Sequence, residues 1–292
     1  MKHLVLFLLF VLLICWFSGC GSAPAADIAA TTLPVYEFTV RLCEGTGIGV
    51  TRLITENVSC LHDYTLQVEQ MRAVQGAKAV VLSGAGLEEF LEDALQSAHC
   101  IDASRNLSLM EGDHHSHEAH DHSGHVHAED PHIWLSPENA SIMADNICHG
   151  LCELYPQHQE TFENNLIKLH DQLHALQQYG EQTLASLSCR VMITFHDGFS
   201  YLAESFGLTI LAAVEEESGS EASAAQLISL IGLIREHDLP AVFTETNGSV
   251  SAAQIVAAET GAKVYALDMA MAGNSYFDAM YHNIRTIREA LL

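Results

Sequence analysis

Three histidines and one aspartate stand where a metal ligand set could form. His62 lies in "SCLHDY", His132 in "EDPHIWLSPENA", His196 in "ITFHDGF", and Asp268 closes "VYALD". His62 and His196 follow β-type runs and His132 precedes a helix with Ser136 as its cap, so all three lie where a strand ends or a loop begins. In open α/β sheets ligands bind beyond the carboxyl ends of the strands, so the three could converge in one cleft. Taken singly, each would read as a hydrogen-bonded loop histidine. Together with a carboxylate leaving a fourth strand end they make a His3Asp set, which suits Zn2+ at bond lengths of about 2.0–2.2 Å. Imidazole-rich ligation favours zinc or another late transition metal over Ca2+ or Mg2+, and the carboxylate keeps Mn2+ as the alternative. Only neutral imidazoles bind, so acidification toward about pH 5–6 should weaken such a site.

A second group of histidines has a different character. Residues 112–134, "GDHHSHEAHDHSGHVHAEDPHIW", hold eight of the chain's 18 histidines. Apart from His132 they are His114, His115, His117, His120, His122, His125 and His127. The intervening Gly, Ser, Ala, Asp and Glu residues give no apolar periodicity, so residues 112–128 cannot pack a core and read as a flexible loop. Such a segment can hold several zinc ions weakly, because each arrangement has an ordering cost that a preformed site lacks. Capture and transfer of zinc, or sensing of its excess, are the functional readings. An inert solvated insertion is the plain one.

The elements that must position these residues alternate. Strands are expected at 28–33, 51–58, 78–83 and 99–104, with helices around 35–44, 66–75 and 87–95. The scheme returns with strands at 190–195, 208–214, 241–245 and 262–267, each followed by a helix. That alternation specifies an α/β fold of two lobes, each a mainly parallel sheet covered by helices. Between them, residues 156–187 carry Phe162, Leu166, Leu169, Leu173, Leu176, Tyr179, Leu184 and Leu187 mostly three or four apart. One amphipathic helix follows, spanning roughly 45 Å at about 1.5 Å per residue, with Gly180 as a place for a bend. The expected organisation is a lobe over 28–155, a linking helix over 156–187 and a second lobe over 188–292, with the metal in the cleft between lobes.

The N-terminus begins "MKHLVLFLLFVLLICWFSGC", one lysine and then a short apolar run leading to Ser18-Gly19-Cys20. This reads as a signal peptide over 1–19 with lipidation at Cys20, not as a membrane-spanning helix, although Phe17 stands where a smaller aliphatic residue is usual. Residues 20–27 form the lipidated tether, so the membrane is reached through the lipid anchor only. Six cysteines remain in the exported part, and export permits disulfides without choosing among fifteen pairings. Cys148 and Cys152, one helical turn apart, are read as helix-face thiols in preference to ligands.

With 49% hydrophobic and 17% charged residues the chain is a folded protein. Its formal net charge of −25 repels phosphate backbones, which excludes nucleic acid as a partner, and concentrates cations near the surface. The acidic run "EEES" at 215–218 is a solvated loop with no ligand role.

"TTLPVYEFT", "LHDYTLQVEQMRAV", "LSGAGLEEFLEDAL", "DPHIWLSPENA", "YPQHQETFENNL", "TFHDGFSYLAESFGL", "VFTETNGS" and "AAETGAKVYALD" occur in that order. Together they resemble the metal-binding lipoproteins of ABC transporters that import zinc or manganese, and most closely the zinc-uptake type. The resemblance runs from about Asp27 to the C-terminus, interrupted by the histidine run. It implies two α/β lobes, a backbone helix and a metal in the cleft, with His62, His132, His196 and Asp268 at the ligand positions. Manganese-type members tend to have glutamate where His196 stands, which favours zinc. Glu245 matches a position after a strand, either as a carboxylate that orients a ligating imidazole or as a solvent-facing acid. The chain departs from the family at Leu61, where Glu or Pro is common, and at Thr65-Leu66, where Glu-Pro is common. A glutamate beside the first histidine is therefore missing, and Asp268 or a water must be the fourth ligand.

The resemblance implies a monomeric extracytoplasmic receptor, not an enzyme, that delivers Zn2+ to a permease and through it to an ATPase. The alternatives are a manganese receptor of the same type, a zinc-dependent hydrolase and an extracellular metal-binding adhesin. No HExxH or similar hydrolase motif occurs in the sequence.

Overall fold

A computed structural model of the chain describes residues 26–56, 61, 64–111, 129–214 and 222–292. Cys20, Cys60, His62, the seven histidines from His114 to His127 and the acidic run at 215–218 lie outside the described residues.

The first lobe opens with β1 (Ile28–Ala30), α1 (Leu33–Leu42), β2 (Val50–Arg52), α2 (Val68–Gly76), β3 (Ala79–Leu82), α3 (Glu92–Leu95) and β4 (Cys100–Asp102). Its strands pair in the order β2-β1-β3-β4, all parallel, with Ile28 opposite Val50 on one side and Ala79 on the other. Both faces of such a sheet are covered, and "IAA" of β1 is wholly buried. The expected strand over 51–58 is shorter than its apolar content suggested. Beyond Arg52 the chain still follows β1, with Leu53 N–H bonded to Ala30 O and Ile54 N–H to Thr31 O, but β1 has by then turned toward its helix.

Two helices complete this half. A single 3-10 turn (Ile133–Leu135) leads into α4 (Pro137–Leu154). Ser136 caps it, its hydroxyl accepting from Asn139 N–H at 3.2 Å, and Pro137 occupies the first turn, where no N–H is needed. After a 3-10 turn at Pro156–His158 comes α5 (Gln159–Leu184), which packs along α4 and α1. Phe162, Leu169, Leu173, Leu176 and Leu184 form its buried stripe. At Gly180 the helix continues unbroken, and the missing side chain has another use. A Cβ there would lie 2.1 Å from the Phe206 ring, so the glycine is a packing notch.

The second lobe repeats the plan with β5 (Val191–Thr194), α6 (Ser200–Ser205), β6 (Thr209–Ala213), α7 (Ala224–Glu236), β7 (Ala241–Glu245), α8 (Ser251–Thr260), β8 (Lys263–Leu267) and α9 (Tyr276–Leu291). The order is β6-β5-β7-β8, again all parallel. A reciprocal capping box between Ser223 and Gln226 starts α7, and Gly261 at φ +82° ends α8 in the left-handed conformation.

The hydrophobic core is continuous between lobes. Trp134 and Phe162 from the first share one cluster with Phe243, Leu267, Tyr276 and Ile284 from the second. Five hydrogen bonds fasten residues 269–276 to the first lobe. Trp134 Nε1–H donates to Met269 O at 2.7 Å, Leu33 N–H to Met271 O at 3.1 Å and Arg52 Nη1 to Gly273 O at 2.7 Å. Tyr276 N–H donates to Glu37 Oε2 at 2.6 Å, and the Tyr276 hydroxyl to Trp134 O at 2.8 Å. No helix among the described residues is long and apolar enough to cross a membrane.

Candidate metal centre

The connectivity of the second sheet explains why its acids and its histidine meet. In the order β6-β5-β7-β8 the connections from β5 and β7 diverge, leaving a crevice beyond their carboxyl ends. His196 follows β5 by two residues, Glu245 is the last residue of β7, and Asp268 comes directly after β8. His132 reaches the same place from the first lobe, immediately before the 3-10 turn that leads into α4. The His132 and His196 rings stand 5.4 Å apart between centroids at 81°, edge to face. Glu245 Oε2 lies 3.8 Å from His196 Nδ1.

Glu245 is not solvent-facing, whereas Asp268 is half-buried. Glu245 is 4% exposed, and burial, followed by the charge of Asp268, pushes its carboxyl up to about 8. Asp268 Oδ1 accepts from Ala270 N–H at 2.8 Å. Asn283, wholly buried on α9, grips the Asp268 backbone twice: its Oδ1 accepts from Asp268 N–H and its Nδ2 donates to Asp268 O, both at 2.7 Å.

His132 is held by Asp130. Asp130 Oδ1 accepts from His132 N–H at 2.9 Å and lies 2.8 Å from His132 Nδ1. An ionised carboxylate can only accept, so Nδ1 carries the ring proton and Nε2 keeps its lone pair for a ligand role. The backbone of Asp130 is fixed as well: its N–H donates to Met110 O at 2.9 Å and its carbonyl accepts from the Tyr201 hydroxyl at 3.1 Å. Tyr201 in turn accepts from Met110 N–H at 2.9 Å, so a residue of α6 clasps both flanks of the 112–128 segment. Between those flanks Glu111 and Glu129 form an antiparallel bridge.

Of the four expected ligands, His132, His196 and Asp268 therefore border one crevice, with Glu245 between His196 and Asp268. His62 is outside the described residues. Among the described residues, no three His, Cys, Asp or Glu side chains stand close enough together to hold a metal ion by themselves. Among the described residues Cys43, Cys100, Cys148, Cys152 and Cys189 form no disulfide with one another, and burial pushes Cys148 up to about 12.

Residues 28–290 match the ZnuA family, described as zinc-uptake complex component A, periplasmic. The chain belongs to the ZnuA family. A protein of Treponema pallidum described as metal-binding is 30% identical over 240 residues, covering 78% of this chain and 76% of its own. The zinc-binding lipoprotein AdcA of Streptococcus pneumoniae serotype 4 is 28% identical over 290 residues, 93% of this chain but 58% of its own. The chain thus spans little more than half the length of that streptococcal relative. A zinc-bound crystal structure of a ZnuA deletion mutant superposes with a TM-score of 0.78 at 30% identity, covering 91% of this chain and 98% of the other. Membership in the ZnuA family sets the chain among uptake components and not among enzymes, against the hydrolase alternative.

Three residues of this crevice were not singled out from the sequence. Asp130 stands two positions before His132 in "EDPHIW", a spacing that allows one carboxylate to take both the backbone and the ring of the histidine. Trp134 follows two positions later, and its buried indole N–H needed a partner. Asn283 lies on the apolar face of α9 among Met280, Ile284 and Ile287, and a buried amide in such a stripe signals a backbone it must satisfy.

Proposed function

We propose that this chain is an extracytoplasmic Zn2+ receptor, lipid-anchored through Cys20, that delivers its cargo to the permease of an ABC-type importer and thereby to its ATPase. His62, His132, His196 and Asp268 ligate the metal, and Glu245 orients His196. The seven histidines from His114 to His127 act as a low-affinity antechamber, and the receptor is a monomer. The observation that carries the reading is the meeting of His132 and His196 from different lobes, with Glu245 and Asp268 beside them, in a chain of the ZnuA family.

The chemistry of the donor set supports zinc. Two imidazoles, a third from His62 and one carboxylate form a borderline-soft tetrahedral environment. Among the described residues Asp130 Oδ2 is buried without a hydrogen-bond partner, and a cation bound to the neighbouring imidazole would relieve that cost. The bound metal is cargo, so its pH dependence follows the imidazoles, with binding lost as they protonate.

Calorimetric titration of metal-free protein with Zn2+ and Mn2+, alongside elemental analysis of protein as purified, tests this reading. One tight zinc site is expected, weakened at least tenfold by His62→Ala, His132→Ala or His196→Ala. Tighter binding of manganese, or unchanged zinc affinity in all three variants, would overturn it.

A further inference from the structure

We propose that Trp134 is a positioning residue for the metal, a strut that sets the distance between the His132 segment of one lobe and the Asp268 segment of the other. The inference rests on the ligand assignment above. Trp134 is wholly buried and lies two residues after His132, whose ring packs against its own at 5.5 Å and 65°. Its indole N–H donates at 2.7 Å to the carbonyl of Met269, the residue that follows Asp268.

The contact is reciprocated. The Tyr276 hydroxyl, also buried, donates to the Trp134 carbonyl at 2.8 Å, and Leu33 N–H meets Met271 O two residues further along the same segment. Asn283 holds Asp268 from behind through both of its backbone groups. Asp268 is thus held on one side by its own lobe and on the other by the residue that braces His132. A rigid indole of two rotatable bonds, fixed at both ends, transmits a fixed spacing where a flexible side chain would not. Its role differs from that of a core aromatic, because the polar end is spent on a ligand-bearing loop.

Trp134→Phe keeps an aromatic ring and most of the volume but removes the donor. Zinc affinity is read by competition with a chromophoric chelator in the full chain, together with the visible absorption of the Co2+-loaded protein. The expected result is about a tenfold loss, the lower end for residues that orient ligands, with a displaced Co2+ band. In an Asp268→Asn background the same substitution should cost little more, because its effect runs through Asp268. Additive losses in the double variant, or an unchanged Co2+ spectrum and affinity in Trp134→Phe, would overturn the proposal. If Asp268→Asn alone leaves affinity unchanged, the ligand assignment fails and the strut falls with it, an outcome distinct from additivity. Should Trp134→Phe not fold, Tyr276→Phe carries the test, with a smaller loss of the same dependence on Asp268.

Discussion

Asp130 and His132 are joined twice through one oxygen, the carboxylate Oδ1 accepting both the backbone N–H and the ring Nδ1 of the histidine. The imidazole is thereby fixed in tautomer and direction before any metal arrives. Asp130→Ala should weaken zinc binding by about 10–100-fold, the usual cost of losing a carboxylate behind a ligating histidine. Asp130→Asn retains an acceptor and should lose less. Chelator competition at pH 7 ranks the three proteins, and equal affinities would refute the orienting role.

Glu111 and Glu129 pair as a bridge, Asp130 N–H reaches Met110 O, and Tyr201 clasps both sides. The flanks of the 112–128 segment therefore lie side by side, a gap that a short turn can close. Replacing residues 112–128 by two to four turn-forming residues should leave melting temperature and the tight zinc site unchanged while lowering total zinc bound at saturation. Equilibrium dialysis against zinc measures the tight site and the total bound, a thermal melt measures the third quantity, and loss of the tight site would contradict this.

Glu88 is buried at the carboxyl edge of the first sheet, where Thr31 Oγ1 and the backbone N–H groups of Ser83 and Gly84 donate to it. Burial outweighs those bonds and pushes its carboxyl from the ordinary 4.5 up to about 7. Because the folded value is the higher one, the native state binds the extra proton. The stabilisation is fully present below about pH 4.5 and is lost as pH rises through about 7, on the order of 3 kcal/mol across the window. Urea unfolding of metal-free protein at pH 5 and pH 8 should show Glu88→Gln losing that slope relative to the parent.

Gly180 gives its place to the Phe206 ring. Gly180→Ala would gain about 1 kcal/mol of helix propensity but force apart a packed aromatic, at roughly 1–3 kcal/mol. A net destabilisation is expected, read as a fall in melting temperature of a few degrees. A rise would mean that Phe206 has room to turn away.

The alternation of strands and helices was legible because parallel strands buried on both faces read as short apolar runs, and because the α5 stripe repeats at helical spacing. Boundaries were less so: apolar Leu53 and Ile54 continue the pattern of β2 while leaving the sheet, since burial does not distinguish a strand from a buried loop. His196 and Asp268 could be picked out because strand ends are where chemistry gathers in α/β sheets, His132 because it opens a loop before a capped helix, and Glu245 only through the family resemblance. Asp130, Trp134 and Asn283 could not, because each acts through a backbone group of a residue that only folding brings near. The solvent-facing alternative for Glu245 also needed the fold to exclude it, as a strand-end acid looks the same in sequence whichever way it points.

The five hydrogen bonds between residues 269–276 and the first lobe bear on time as well as shape. A swing of one lobe away from the other would break them together, at about 0.5–1.5 kcal/mol each, and would part a shared core. Loops outside that fastened segment rearrange in nanoseconds to microseconds, where domain hinges need microseconds to milliseconds. The clock for loading and unloading is therefore expected to be that of loops and of ligand bonds breaking. Residence time becomes a property of a handful of side chains, adjustable one substitution at a time without redesigning a hinge.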